Sequence, residues 1–298
     1  MSKIKAKFLE LQAKNEKALI TYLVAGYPNE SGTLSAIRGV IKGGADIIEL
    51  GLPFSDPLAD GPVIQNATHL ALKNGFSTAK FFGIVKKIRK ETKLPLIVMT
   101  YTNLLYRQGY DKFIARAKKA GIDGFILPDM PVEEARQYLN AIHKYKADAI
   151  FLASPNTSKE RIRKIIRASS GFLYLVSVYG TTGAQQKIKQ YTVNAIKNAK
   201  RISNGKIPIA VGFGVSNPTQ ARNFIKIGAD AVIVGTAFLR LIYGLEAKKI
   251  ESRVERFTRS LKESTRLKNS LCVQNGNMVP FLPSFKLFNI RYEYLALI

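Results

Sequence analysis

With 298 residues, 46% of them hydrophobic, and a formal net charge of +25 at pH 7, the chain has the length for one large domain or two ordinary ones and enough apolar residues for a sizeable core. No apolar run reaches the roughly 18 residues of a membrane helix, a single Cys272 excludes an internal disulfide framework, and two histidines, His69 and His143, argue against a His/Cys metal site. The positive charge is spread over successive helix-like segments, such as Lys86, Lys87, Arg89 and Lys90 and then Arg161, Arg163, Lys164 and Arg167, and no aromatic-interleaved basic run accompanies it, so solvated outer faces are expected and nucleic acid is not.

Residues 2–14 carry Ile4, Phe8 and Leu11 at helical spacing and predict a short amphipathic helix. No targeting peptide precedes it, and the expected location is the cytoplasm, or the plastid stroma for an organelle-encoded chain. Strand candidates then recur at 18–25, 46–51, 95–101, 123–128, 148–153, 172–178, 207–212 and 230–235. Charged amphipathic segments separate them, a helix from about Gly32 to Lys42 being the first and 131–144 and 217–227 later ones. The strand candidates are continuously apolar rather than alternating, as in a parallel sheet covered on both faces. Eight such units predict an α/β fold, a (β/α)8 TIM barrel with an N-terminal extra helix. A doubly wound open sheet is the alternative, but the first turn reads AGYPNES (25–31) where a Gly-rich fingerprint would be needed. The phrases GGADIIELG, AGIDGFILPD and IGADAVIVG form a weak internal repeat that counts strands. From about Glu263 the helical period stops, so the expected domains are a barrel over 1–262 and a C-terminal extension over 263–298.

Chemistry is expected at the C-terminal ends of the strands. Glu49 sits inside the apolar second strand, where an unpaired carboxylate faces a desolvation penalty of several kcal/mol, and no basic residue lies in the neighbouring runs to pair with it. That makes Glu49 a catalytic candidate. Asp60 follows in the loop, where Asp-Gly by itself signals only a turn. Glycine-bearing turns follow the sixth, seventh and eighth strands, at 180–184, 212–218 and 235–238, and the last two open helices. Backbone N–H groups at such turns hold phosphate. The loop 179–190 has the small polar composition of a mobile lid or of a plain surface loop, and Thr181 and Thr182 offer hydroxyls there.

The runs IELGLPFSDPLADGPVIQ, LPDMPVEE, YGTTGA, VGFGVSNP and GADAVIVGTAF, in this order, resemble the tryptophan synthase α chain family over residues 2–262. The resemblance implies a lyase that splits indole-3-glycerol phosphate into indole and glyceraldehyde 3-phosphate. It also implies a β subunit, in an α2β2 tetramer, that condenses the indole with serine using pyridoxal phosphate, while this chain has no cofactor and no metal. Glu49 matches the family's catalytic acid/base and Asp60 the carboxylate that holds the indole N–H. Thr182 matches the lid threonine, and Tyr174 the tyrosine near the catalytic glutamate. Gly183, Gly214, Gly235 and Thr236 match the phosphate turns, and Tyr22, Met99 and Ile126 the indole pocket. The chain departs from the family's usual residues at Thr236 (usually Ser), Tyr27 (often Asp), and Val178 and Lys187 (often arginines nearby), and the tail beyond 262 exceeds the usual length. None of these removes a catalytic group. Another phosphate-binding barrel enzyme and a non-catalytic binding protein are the alternatives; an indole-glycerol-phosphate synthase would need a strand-end Lys that no strand candidate carries.

Overall fold

The computed structural model describes residues 1–177, 188–212 and 214–266, together with the backbone of 272–274 and 277–279. Short runs rich in Ile, Leu and Val form the strands: β1 (Ala18–Val24), β2 (Ile47–Gly51), β3 (Leu96–Met99), β4 (Gly124–Ile126), β5 (Asp148–Ile150), β6 (Leu152–Ala153), β7 (Leu173–Val176), β8 (Ile209–Gly212) and β9 (Ala231–Val234). Every residue of β1 and β2 is buried. That follows from having helices on one face and the barrel interior on the other.

All the pairings among these strands are parallel, in the order β5-β4-β3-β2-β1-β9-β8-β7-β6. The run expected as one strand at 148–153 is thus two, broken at Phe151. Its first part pairs with β4 and its second with β7, so the two ends of the sheet are consecutive in the chain. Hydrogen bonds from Ser170 N to Ala149 O (2.8 Å) and from Tyr174 N to Phe151 O (3.1 Å) span the junction and bring the barrel to closure.

The helices are α1 (Lys3–Ala13), α2 (Glu30–Lys42), α3 (Pro62–Lys73), α4 (Thr78–Glu91), α5 (Thr102–Gln108), α6 (Tyr110–Ala120), α7 (Arg136–Lys144), α8 (Lys159–Ala168), α9 (Gln190–Ser203), α10 (Pro218–Ile227), α11 (Thr236–Ile242) and α12 (Ala247–Ser264). Asn29 caps α2, accepting from Gly32 N at 2.8 Å, which starts that helix earlier than its apolar period suggests. The helix expected from residue 131 begins only at Arg136, because Glu134 N closes a turn on Pro131 O (3.1 Å) instead of an α-helical bond.

Two features direct function to the C-terminal end of the barrel. Ile4 of α1 is fully buried under the opposite end, 2.8 Å from where a Cβ on Gly124 would stand, and Phe8 packs on Phe172. The repeated aspartates also act at that lower end. Asp46, Asp123 and Asp230 each accept a hydrogen bond from a backbone N–H at the start of a neighbouring strand, at Leu19 (2.8 Å), Leu96 (3.0 Å) and Ile209 (2.9 Å). Each also holds a cation: Lys262 at 2.9 Å, Arg89 at 2.8 Å and Lys200 at 2.7 Å, respectively. The repeat is therefore a set of strand-to-strand clamps. By contact the chain divides into units Met1–Arg266 and Leu267–Ile298. The second contains an antiparallel pair, β10 (Cys272–Gln274) with β11 (Asn277–Val279).

Candidate active site

Residues paired in a parallel sheet project to the same face, so the register builds the site row by row. Glu49 lies opposite Tyr22 on one side and Ile97 on the other. Two residues further along, Gly51, Met99 and Ile126 form the next row. An apolar wall of Met99 and Ile126 thus stands next to the carboxylate on the side of the strand ends.

Glu49 is 1% exposed, and its Oε2 has no hydrogen-bond partner. Burial, and secondarily the charge of Asp60, pushes its carboxyl up to about 8. Asp60, in the loop between β2 and α3, is 9% exposed. Its Oδ2 accepts from the Tyr101 hydroxyl at 3.0 Å and its Oδ1 has no partner. Burial raises this carboxyl to about 6, against the Tyr101 hydrogen bond that lowers it. Near neutral pH the pair is therefore one protonated acid and one carboxylate. Opposite protonation states imposed by environment are how one site supplies both a proton donor and an anion.

Tyr22 and Tyr174 complete the interior. Burial, together with the carboxylates of Asp60 and Glu49, raises both phenols well above the usual tyrosine range, so they remain protonated. Glycines make room for them. A Cβ on Gly51 would sit 2.5 Å from the Tyr22 hydroxyl, one on Gly235 would sit 2.8 Å from Tyr22 Cδ1, and one on Gly212 would collide with the Tyr174 ring. Gly235 thus has a packing reason in addition to any role as a phosphate turn.

Gly214 follows β8 with φ +85° and leads into α10, whose cap Asn217 accepts from Gln220 N at 2.9 Å. Gly235 follows β9 and caps α11, whose first residue is Thr236, with no side-chain bond to the helix end. The start of α11 thus keeps backbone N–H groups without a side-chain cap at the strand end, whereas at the Gly214 turn Ser216 N donates to Gln220 Oε1 at 2.8 Å. Thr182 and Gly183, like Thr181, Val178 and Lys187, lie outside the described residues. Sequence reasoning missed Tyr101, whose partner Asp60 is 41 residues away and whose MTYTN surroundings carry no periodic signal. It also missed Gly51 and Gly212 as clearances for phenols. Among the described residues no group of three or more His, Cys, Asp or Glu could hold a metal ion, and no helix is long and apolar enough to cross a membrane.

The sequence model of the family described as "Tryptophan synthase alpha chain" matches residues 8–269. The tryptophan synthase alpha chain of Methanosarcina barkeri is 45% identical over 260 residues, covering 87% of this chain and 96% of the relative. That of Petrotoga mobilis is 43% identical over 264 residues, covering 88% and 99%. Among solved structures, a chain of tryptophan synthase from M. tuberculosis superposes with a TM-score of 0.80 at 34% identity, covering 90% of this chain and all (100%) of that one. A mutant tryptophan synthase α-subunit from Pyrococcus furiosus gives 0.77 at 38% identity, covering 83% and 98%.

Proposed function

We infer the division of labour in this site from one premise: the chain belongs to the tryptophan synthase α chain family. Its activity is that of a carbon–carbon lyase, the retro-aldol cleavage of indole-3-glycerol phosphate to indole and glyceraldehyde 3-phosphate, and the indole goes to a β subunit for tryptophan synthesis.

The roles of individual residues are our reading, and the observation that carries it is the unequal pair of buried acids. Glu49, protonated near neutral pH, donates its proton to the indole ring carbon that bears the side chain. The ring nitrogen becomes cationic, and the Asp60 carboxylate, through its unpartnered Oδ1, accepts the indole N–H and stabilises that charge. Glu49, now ionised, takes the proton of the glycerol hydroxyl beside the bond to be broken. As that oxygen becomes an aldehyde carbonyl, the carbon–carbon bond breaks and its electron pair returns to the ring, restoring neutral indole. Glu49 ends protonated, ready for the next turnover.

Tyr22, Met99 and Ile126 pack the indole ring in this reading, and Tyr174 borders Glu49. Gly183, Gly214, Gly235 and Thr236 bind the phosphate, and Thr182 closes on Asp60. No cofactor or metal is assigned to this chain, and pyridoxal phosphate belongs to the β subunit. The assembly is an α2β2 tetramer, without nucleic acid or membrane, in the cytoplasm or a plastid stroma. The barrel domain, expected over 1–262, is read here as the compact unit Met1–Arg266, since α12 runs on through Ser264, and the extension expected over 263–298 as Leu267–Ile298. The loop from Pro53 to Pro62 meets the β subunit, which is supported by Leu58, 91% exposed on it, and by Tyr106, 68% exposed on α5.

The test is release of indole from indole-3-glycerol phosphate by the purified chain, with and without a β subunit. Glu49→Gln is expected to abolish turnover with substrate binding kept. Asp60→Asn is expected to slow it by orders of magnitude with little change in phosphate affinity. Near-normal turnover in both variants would refute the assignment.

A further inference from the structure

We propose that Tyr101 is a positioning residue for this reaction: its hydroxyl ties the loop after β2 to the head of α5 and presents one oxygen of Asp60 to the substrate. This rests on the reading of Asp60 given above and adds a residue which that reading does not use.

Two consecutive loop residues converge on one phenol. Ala59 N donates to Tyr101 Oη at 3.1 Å, and Tyr101 Oη donates to Asp60 Oδ2 at 3.0 Å. A phenol has one proton, and the incoming N–H occupies the acceptor side, so the proton is directed at Asp60. Phe54, at the start of the same loop, stacks on the Tyr101 ring, with centroids 5.4 Å apart and planes at 26°.

The ring is anchored from behind as well. The adjacent Thr102 is held by Asp129, which accepts from Thr102 N at 2.9 Å and from Thr102 Oγ1 at 2.9 Å. Between Phe54 and Asp60 the loop exposes Asp56 and Leu58, and Tyr101 ties down both of its ends, one through the ring and the other through the hydroxyl. With Oδ2 occupied, Oδ1 is the buried carboxylate atom without a partner. It is the oxygen left for an indole N–H.

The same bond bears on proton affinity. The titratable groups around Asp60 are Glu49 from β2, Tyr22 from β1, Tyr174 from β7 and Tyr101 itself, with Asp129 behind Tyr101. Of these, the Tyr101 hydrogen bond is the contribution that holds the Asp60 carboxyl down against burial. Tyr101 is pushed up by burial and by Asp60, so it stays a donor throughout the working range. Asp60 must be ionised to stabilise a cation, so losing the phenol proton moves the acid limb of activity to higher pH.

The experiment compares wild type, Tyr101→Phe, Asp60→Asn and the double variant as full chains with a β subunit, measuring indole release against pH. It adds a 13C-carboxyl NMR titration of Asp60 in the wild type and in Tyr101→Phe. The expected result is a loss of about tenfold in kcat/KM for Tyr101→Phe, the size of one hydrogen bond to a charged group, with the acid limb and the Asp60 titration both moved up by about one pH unit. In the Asp60→Asn background the same change is expected to have less than about a twofold effect, because its route is through Asp60. An unmoved Asp60 titration, or an equal loss in both backgrounds, would overturn the proposal. The titration does not depend on turnover, so a wild type that releases no indole sinks the lyase assignment while the NMR result still decides the role of Tyr101.

Discussion

Replacing Glu49 by Gln separates the electrostatics of this site from its catalysis. The carboxyl rises from 4.5 to about 8 on folding, chiefly by burial. At about 1.4 kcal/mol per pH unit, that is at most about 5 kcal/mol of stability linked to one proton. The sign follows from which state holds the proton. Below pH 4.5 Glu49 is neutral in both the folded and unfolded chains and contributes nothing. Between 4.5 and about 8 the unfolded chain ionises and the native one does not, so stability falls as pH rises through that window. Asp60, raised to about 6, adds a smaller loss in the same direction at lower pH. Gln keeps the volume and cannot ionise, so the difference in unfolding free energy between Glu49→Gln and wild type isolates the Glu49 part. Its amide adds only an offset that is constant with pH. From pH 5.5 to 8.5 that difference is expected to grow in favour of the variant by about 3 to 4 kcal/mol, which is about 1 M in the urea midpoint for a domain of this size. Urea unfolding followed by circular dichroism at a series of pH values measures it. A difference that stays flat with pH would show that Glu49 is not held protonated by its surroundings, and the acid/base assignment would lose its physical basis.

Two further outcomes test the packing beneath the site. Gly51→Ala places a Cβ 2.5 Å from the Tyr22 hydroxyl and should destabilise by about 1 to 3 kcal/mol. Adding Tyr22→Phe should recover part of that loss in the same urea assay, and no recovery would mean the glycine is required for another reason. Lys262 is buried between Asp46 at 2.9 Å and Glu16 at 3.0 Å. Lys262→Met leaves Asp46 uncompensated and should lower stability by about 3 to 5 kcal/mol. Equal midpoints for Lys262→Met and wild type would refute the clamp.

Much of this protein can be read along the chain because its information is local. Apolar runs of strand length, the helical period of Ile4, Phe8 and Leu11, and the Asp that leads into the strand in each repeated phrase depend on residues within a few positions of one another, and they suffice for an eightfold β/α alternation. Glu49 stands out for the same reason: an acid with no basic neighbour in its own or the adjacent apolar runs is conspicuous before any coordinate is known. Other features needed contacts between distant segments. Closure through the break at Phe151 depends on β5 and β6 taking different partners, and a run of apolar letters does not record where its pairing changes. The aspartates became clamps only when Leu19, Leu96 and Ile209 came within hydrogen-bond reach.

Asp60 shows the division most clearly. By itself it is the Asp of an Asp-Gly turn. It becomes a partner for Glu49 because the fold buries it, attaches one of its oxygens to a tyrosine 41 residues away and leaves the other free. By itself the sequence determined the architecture, the order of its elements and the presence of one misplaced acid, because secondary structure and burial follow from the pattern of nearby side chains. The tertiary structure alone decided which acid keeps its proton, because proton affinity depends on desolvation, neighbouring charge and hydrogen bonds, and those come from whichever residues the fold brings together.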